Sequence, residues 1–143
     1  MALHLIKLCV GVSQIAELSQ WQTERLAERR AAGQAPELFH ITRQTPKRAE
    51  ELLDGGSLYW VINGWTAVRQ RLLELRPVER DGVPHCAIVY EPTLITVEPR
   101  PRRPFQGWRY LPGEDAPPDV GVWNQDSDES ASLQSELIAL GLL

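Results

Sequence analysis

The stretch "SLYWVINGWTAVRQRLLELRPVERDGVPHCAIVY", residues 57–90, decides the fold, because its middle portion fits two different structures. Residues 57–64 are a row of β-formers and read as a central strand. In residues 65–80, Val68, Leu72 and Leu75 sit at helical spacing, yet the segment leads into Asp81-Gly82 and a further apolar run. Asp-Gly supplies the positive φ angles of a tight hairpin turn. A strand at residues 65–80 pairing with a strand at residues 83–90 therefore accounts for the order better than an isolated helix.

Working outward, residues 4–10, "HLIKLCV", form a short apolar run suited to a strand covered on both faces. Residues 13–32 read as a helix with Ser13 as N-cap and Gly33 closing it. Ile15, Leu18, Trp21 and Leu26 fall within an arc of about 140° and predict its buried face. Residues 37–43 suit a second strand, with Phe39 and Ile41 on one face and Leu38, His40 and Thr42 on the other. Thr45, Pro46 and Gly55 have the residue types of an N-cap, a first helical position and a helix stop, predicting a short helix over residues 46–53. Residues 93–98 are one more strand. Pro99, Pro101 and Pro104 withhold backbone donors, so the chain there should run extended across a surface or along a sheet edge. Residues 112–130 are rich in acids and turn formers and read as a long acidic, Pro-rich loop; a closing helix follows, with Leu133, Leu137 and Leu140 as its stripe. The expectation is one α+β domain over residues 1–143, with a mixed sheet whose hairpins can curl it toward a barrel.

Composition bounds the function classes. At 143 residues, 43% apolar and 24% charged, the chain can bury a core without staples. No run of 18 apolar residues occurs, and the first residues lack the basic start of a cleavable leader, so a cytoplasmic protein without a membrane span is expected. Cys9 and Cys86 are too few and too far apart for a disulfide framework or a metal pattern. The net charge of −4 hides a split: residues 1–109 hold all 15 basic groups against 12 acids, net +3, whereas residues 110–143 hold seven acids and no Lys or Arg, net −7.

No motif announces a reaction. His4, His40 and His85 lie on different predicted strands without a second ligand at metal-binding spacing, so no metal or cofactor is expected. Neither cysteine sits at a predicted helix start where its thiolate would be stabilised. The glycines of residues 54–64 form neither a dinucleotide fingerprint nor a P-loop. Two basic groups stand out. Arg43, Lys47 and Arg48 flank the predicted start of the second helix, where free N–H groups attract anions. In "RPRRPFQGWRY", residues 100–110, Arg100, Arg102, Arg103 and Arg109 interleave with Phe105, Trp108 and Tyr110. Arginines neutralise phosphates, and flat rings accept bases, so this combination suits RNA, a nucleotide or another phosphorylated ligand. The same residues also suit a strap packed on the protein's own sheet, with the arginines stacked on its rings, and because most aromatics in a domain of this size serve packing the strap is the weightier reading of the stretch itself. The expected function is thus a binding protein for an anionic ligand. The alternatives are a small enzyme with His40 as acid or base near Tyr59 and the arginines, or a subunit-interface protein.

At residues 3–12, residues 52–65 and residues 102–111, "LHLIKLCVGV", "LLDGGSLYWVINGW" and "RRPFQGWRYL", the chain resembles the bacterial family called domain of unknown function 1489. That resemblance spans nearly the whole chain and brings no activity or catalytic residue with it. The helix leading through a Gly-Gly turn into an apolar strand, then hairpins, is similar to the PUA-like barrels, which implies a barrel-like sheet and RNA or modified-base binding for that group. The Lys, Glu and Arg pattern of the ASCH branch is missing.

Overall fold

The computed structural model describes residues 2–124. Strand β1 (Leu3–Leu8) leads to helix α1 (Ile15–Ala31), β2 (Leu38–Thr42), the short helix α2 (Ala49–Leu53), and β3 (Ser57–Ile62). Then come β4 (Trp65–Arg80), β5 (Val83–Tyr90), β6 (Ile95–Pro101), β7 (Trp108–Pro112), a 3-10 turn (Gly113–Asp115) and β8 (Asp119–Val122).

The ambiguous segment is a 16-residue strand, and it organises the sheet. Along one side of its first half it pairs antiparallel with β3; its other partner is β5 for residues 72–80 and β6 for residues 65–69. Asp81 and Gly82 take φ of 53° and 76°, the left-handed pair that a tight turn into β5 requires. The strand order is β2-β5-β4-β3-β1-β7; outside this path β6 pairs with β4, and β8 pairs with β6. β1 is central: it runs parallel to β3 and antiparallel to β7.

This sheet is mixed, as expected, but it is not closed into a barrel, because β2 and β7 do not pair. Side chains bridge the gap instead. Trp108 on β7 donates its Nε1–H to the Gln44 carbonyl at 2.8 Å, and the Tyr110 hydroxyl accepts the Lys47 N–H at 2.9 Å. Both acceptor and donor lie in the loop that follows β2.

The main core lies on one face, where Leu5, Leu58, Trp60, Val68, Ile88 and Tyr90 meet Ile15 and Leu18 of α1 and Leu52 of α2. A smaller cluster of Ile6, Tyr59, Val61, Val97 and Leu111 covers the other face, with Phe105 packed against it. Gly56 explains why two glycines follow α2. A Cβ there would stand 2.2 Å from the Leu52 carbonyl oxygen and 2.3 Å from that of Leu3, whereas Gly55 takes φ of 85° to end the helix.

Four local expectations are corrected. α1 is capped at Gln14, while Ser13 donates its hydroxyl to Glu17 at 2.6 Å. Trp21 is 49% exposed and Gln22 takes its place inside at 3%. At about 100° per residue Gln22 lies between Leu18 and Leu26, and Trp21 falls roughly 60° beyond Leu18, so the buried arc is narrower than the apolar one. α2 begins at Ala49, three residues after Pro46, and has no side-chain cap. Within residues 112–124 the expected loop contains the 3-10 turn and β8, an edge strand on β6. The closing helix around Leu133, Leu137 and Leu140 lies outside the described residues.

Candidate functional site

The arginine-aromatic stretch is divided among three elements. Arg100, one residue before the end of β6, lies opposite Thr66, and its guanidinium reaches the Asp115 carbonyl at 3.3 Å. β8 pairs only with the start of β6, so the proline-bearing end of β6 is an edge, as its missing donors require. Arg102 and Arg103 occupy the link to β7, and Arg109 lies on β7 itself. Phe105 carries two guanidinium groups over its ring, those of Arg102 and Arg109 at 5.3 Å and 5.4 Å from its centre. Arg109 also donates to the carbonyls of Gln106 and Trp108. Trp108 is 7% exposed and bound to Gln44, which leaves its ring no open face for stacking. Tyr110 packs edge-on against Trp108 and carries Arg48 over its ring at 5.5 Å. Arg48 in turn pairs with Glu51. The structure therefore brings Lys47 and Arg48 against β7, but their backbone and ring contacts hold the loop down. Arg43 and Arg103 point outward with no carboxylate partner among the described residues.

His40 lies elsewhere, in a cavity of about 440 Å³ on the inner face of the sheet. The cavity opens between the end of β1 with its following loop, the first turns of α1, and β2; Trp60 and Tyr90 form its floor. Neither Tyr59 nor any arginine lines it. The expected grouping of His40 with Tyr59 and the arginine stretch is thus replaced by His40 with Lys7, Cys9 and Glu17. Tyr59 belongs to the opposite face, edge-on to His4 at 4.9 Å.

Alternation explains the lining. Lys7 sits opposite Trp60 and Trp108 across its two ladders, so it shares the inner face with Leu5 and Leu3. His40 pairs with Ile88 and shares the inner face with Leu38 and Tyr90. Lys7 is half-buried, with no carboxylate partner among the described residues, and burial pulls its ammonium below the ordinary lysine value. Burial, helped by the charge of Lys7, lowers His40 to about 4, so its imidazole is neutral at pH 7. Neither ring nitrogen of His40 has a protein hydrogen-bond partner among the described residues. Burial pushes the Cys9 thiol up to about 11, which keeps it protonated and a poor nucleophile.

The floor is rigid because a buried amide pair holds it. Gln22 donates to Gln70 Oε1 at 3.0 Å, and Gln70 donates back to Gln22 Oε1 at 2.7 Å. Gln70 Oε1 also accepts the Trp60 Nε1–H at 2.9 Å, and Gln70 Nε2 donates to the Glu91 carbonyl at 3.0 Å. Tyr90 meets Trp60 edge-to-face at 5.9 Å and 77°. Every polar atom of Gln70 is used, the condition under which a buried network specifies one geometry. Sequence reasoning missed Lys7 and both glutamines. The available signals were one cation inside an apolar strand, and a glutamine inside the apolar arc of α1.

On the opposite face, Ser57 donates its backbone N–H to His4 Nδ1 at 2.9 Å. Arg69 binds Ser57 Oγ at 2.9 Å and both oxygens of Asp119, at 2.8 Å and 2.7 Å. His4 faces the Ser57 backbone rather than its hydroxyl, so these residues are not a nucleophilic triad. Among the described residues no group of three or more His, Cys, Asp or Glu could hold a metal ion. Nor is any helix among them long and apolar enough to cross a membrane.

No curated protein and no solved structure matches the chain. A family model does, over residues 5–143, and it takes in β1 from Leu5 onward and every later element described above. The chain belongs to the family described as Protein of unknown function (DUF1489).

Proposed function

We propose that the protein binds a small organic anion in the cavity walled by Lys7 and His40. One observation carries this reading: a half-buried ammonium and a neutral imidazole, neither with a partner among the described residues, line a cavity floored by Trp60 and Tyr90. An apolar pocket of a few hundred Å³ with a small number of polar groups is the usual form of a small-molecule site. Binding suits these groups better than proton transfer. An imidazole at about 4 is a weak base at neutral pH, and a thiol at about 11 is mostly protonated there.

The experiment is a titration of the full chain with a set of ring-bearing carboxylate and phosphate fragments, followed by NMR. Fragments that bind should shift the Trp60 indole and the His40 imidazole and leave the Trp108 indole in place. Shifts confined to Trp108 and its neighbours, or none, would remove the cavity reading.

A second reading rests on the loop of residues 43–48 lying against β7, which puts Arg43, Lys47 and Arg48 beside the strand that carries Arg109. In this reading an anionic polymer such as single-stranded RNA follows the β7 edge. Fluorescence polarisation of labelled RNA should then show affinity falling steeply with salt, because phosphate neutralisation releases counterions; a flat or absent signal disposes of it.

A further inference from the structure

We infer that the cavity selects a ring-bearing monocarboxylate as its anion and discriminates against a phosphate monoester of the same ring. This inference rests on the cavity being the binding site and adds the chemical class of its occupant.

Charge makes the first part of the argument. Among the described residues Lys7 is the one cationic side chain lining the cavity, and the arginines of the β7 region do not reach it. His40 offers a single N–H in its neutral form and no charge. Glu17, in the first turn of α1, also lines the cavity and already answers the positive end of that helix. It repels a second negative charge. A phosphate monoester carries close to two negative charges near neutral pH and has three acceptor oxygens to satisfy. A carboxylate carries one charge and two oxygens, which one ammonium and one imidazole N–H can meet.

Shape makes the second part. The Trp60 and Tyr90 rings stand 77° apart, so a planar ring lying on one presents its edge to the other. Val12 and Leu18 supply further apolar wall. The Gln22–Gln70 pair holds Trp60, which in turn packs edge-on against Tyr90, before any ligand arrives, and this lowers the ordering cost of binding.

The test uses three probes that differ only in their polar group: 2-naphthoate, 2-naphthyl phosphate and 2-naphthamide, each titrated calorimetrically into the full chain at pH 7.5. The naphthoate should bind about tenfold or more tighter than either of the others, the size of one charge-assisted hydrogen bond. Lys7→Met should remove that preference and leave naphthamide binding within about threefold. Phosphate binding as tight as carboxylate overturns the inference while leaving the anion-binding reading intact, whereas amide binding as tight as carboxylate overturns both. No binding by any of the three, with fragments still shifting Trp60 and His40, overturns the inference alone; no response in either experiment overturns both.

Lysine labelling covers the case in which Lys7→Met fails to fold. The chain has two lysines, Lys7 and the exposed Lys47. 2-Naphthoate should slow reductive methylation of Lys7 relative to Lys47 in the unmodified protein. Equal rates with and without the probe overturn the assignment of Lys7.

Discussion

Replacing Gln70 by leucine tests the amide network that holds the cavity floor. Leucine has nearly the same volume, so little of its effect comes from empty space. What it removes is the acceptor of Trp60 Nε1, both partners of the Gln22 amide, and the donor to the Glu91 carbonyl. Trp60 and Gln22 are 5% and 3% exposed, so water cannot replace those partners without opening the core. Each stranded buried group costs about 1–3 kcal/mol, and two are stranded outright, so the variant should lose roughly 3–5 kcal/mol. That is a large share of the about 5–15 kcal/mol that holds a domain together. Gln22→Leu should be milder, about 1–2 kcal/mol, because Gln70 keeps Trp60 and Glu91. The double variant should fall short of the sum of the singles by about 1–3 kcal/mol, since neither amide is then left buried alone. Urea unfolding followed by tryptophan fluorescence, with an unchanged slope, reads all three. A Gln70→Leu cost below about 1 kcal/mol, or strict additivity, would refute the reasoning.

The remaining predictions concern the close approach at Gly56, His40 and the far face of the sheet. Gly56→Ala should destabilise by about 3 kcal/mol or more, because its Cβ meets two backbone carbonyls, while Gly55→Ala, strained only by its φ of 85°, should cost about 1–2 kcal/mol. Thermal unfolding of the pair separates the two causes, and equal costs would contradict the packing account. His40 has a folded pKa below its unfolded value, so its neutral burial contributes stability above pH about 6.5 that is lost as pH falls toward about 4. His40→Gln should flatten that limb of a urea-midpoint series, and an NMR titration should place the imidazole near 4. Arg69 holds Asp119 below the ordinary carboxylate value, so Asp119 contributes stability above pH about 4 that disappears on further acidification. Asp119→Asn should be less stable than wild type at pH 7, converge with it as the pH falls below the ordinary carboxylate range, and speed amide exchange in β8; a gap that persists in acid would argue against the ion pair.

Much of the fold was legible because local chemistry and tertiary demand agreed. Asp81-Gly82 needs no long-range partner to make its turn, and residues 57–62 are apolar on both faces because both faces are covered. Residues 46–48 were misjudged for the opposite reason. Thr45 and Pro46 have the right types for a helix start, but the Tyr110 hydroxyl takes the N–H groups of Lys47 and Arg48, and α2 begins after them. The partner lies more than sixty residues away, where local propensity cannot see it. The cavity was half legible. His40 was found by strand alternation, whereas Lys7 needs the knowledge that β1 has no carboxylate beside it, and Gln22 needs Gln70 across the core. The arginine-aromatic stretch was conspicuous by composition, and its rings are mostly spent on the protein's own packing.

The central place of β1 has a consequence for synthesis. Its parallel partner, β3, is translated early, but β7, its antiparallel one, is complete only at Pro112. Until then the "LHLIKL" strand keeps one row of amide and carbonyl groups unmatched beside apolar side chains. Pairing so distant in sequence slows folding and lengthens exposure of sticky intermediates. The nascent chain is therefore most vulnerable to association with its neighbours while it still lacks β7.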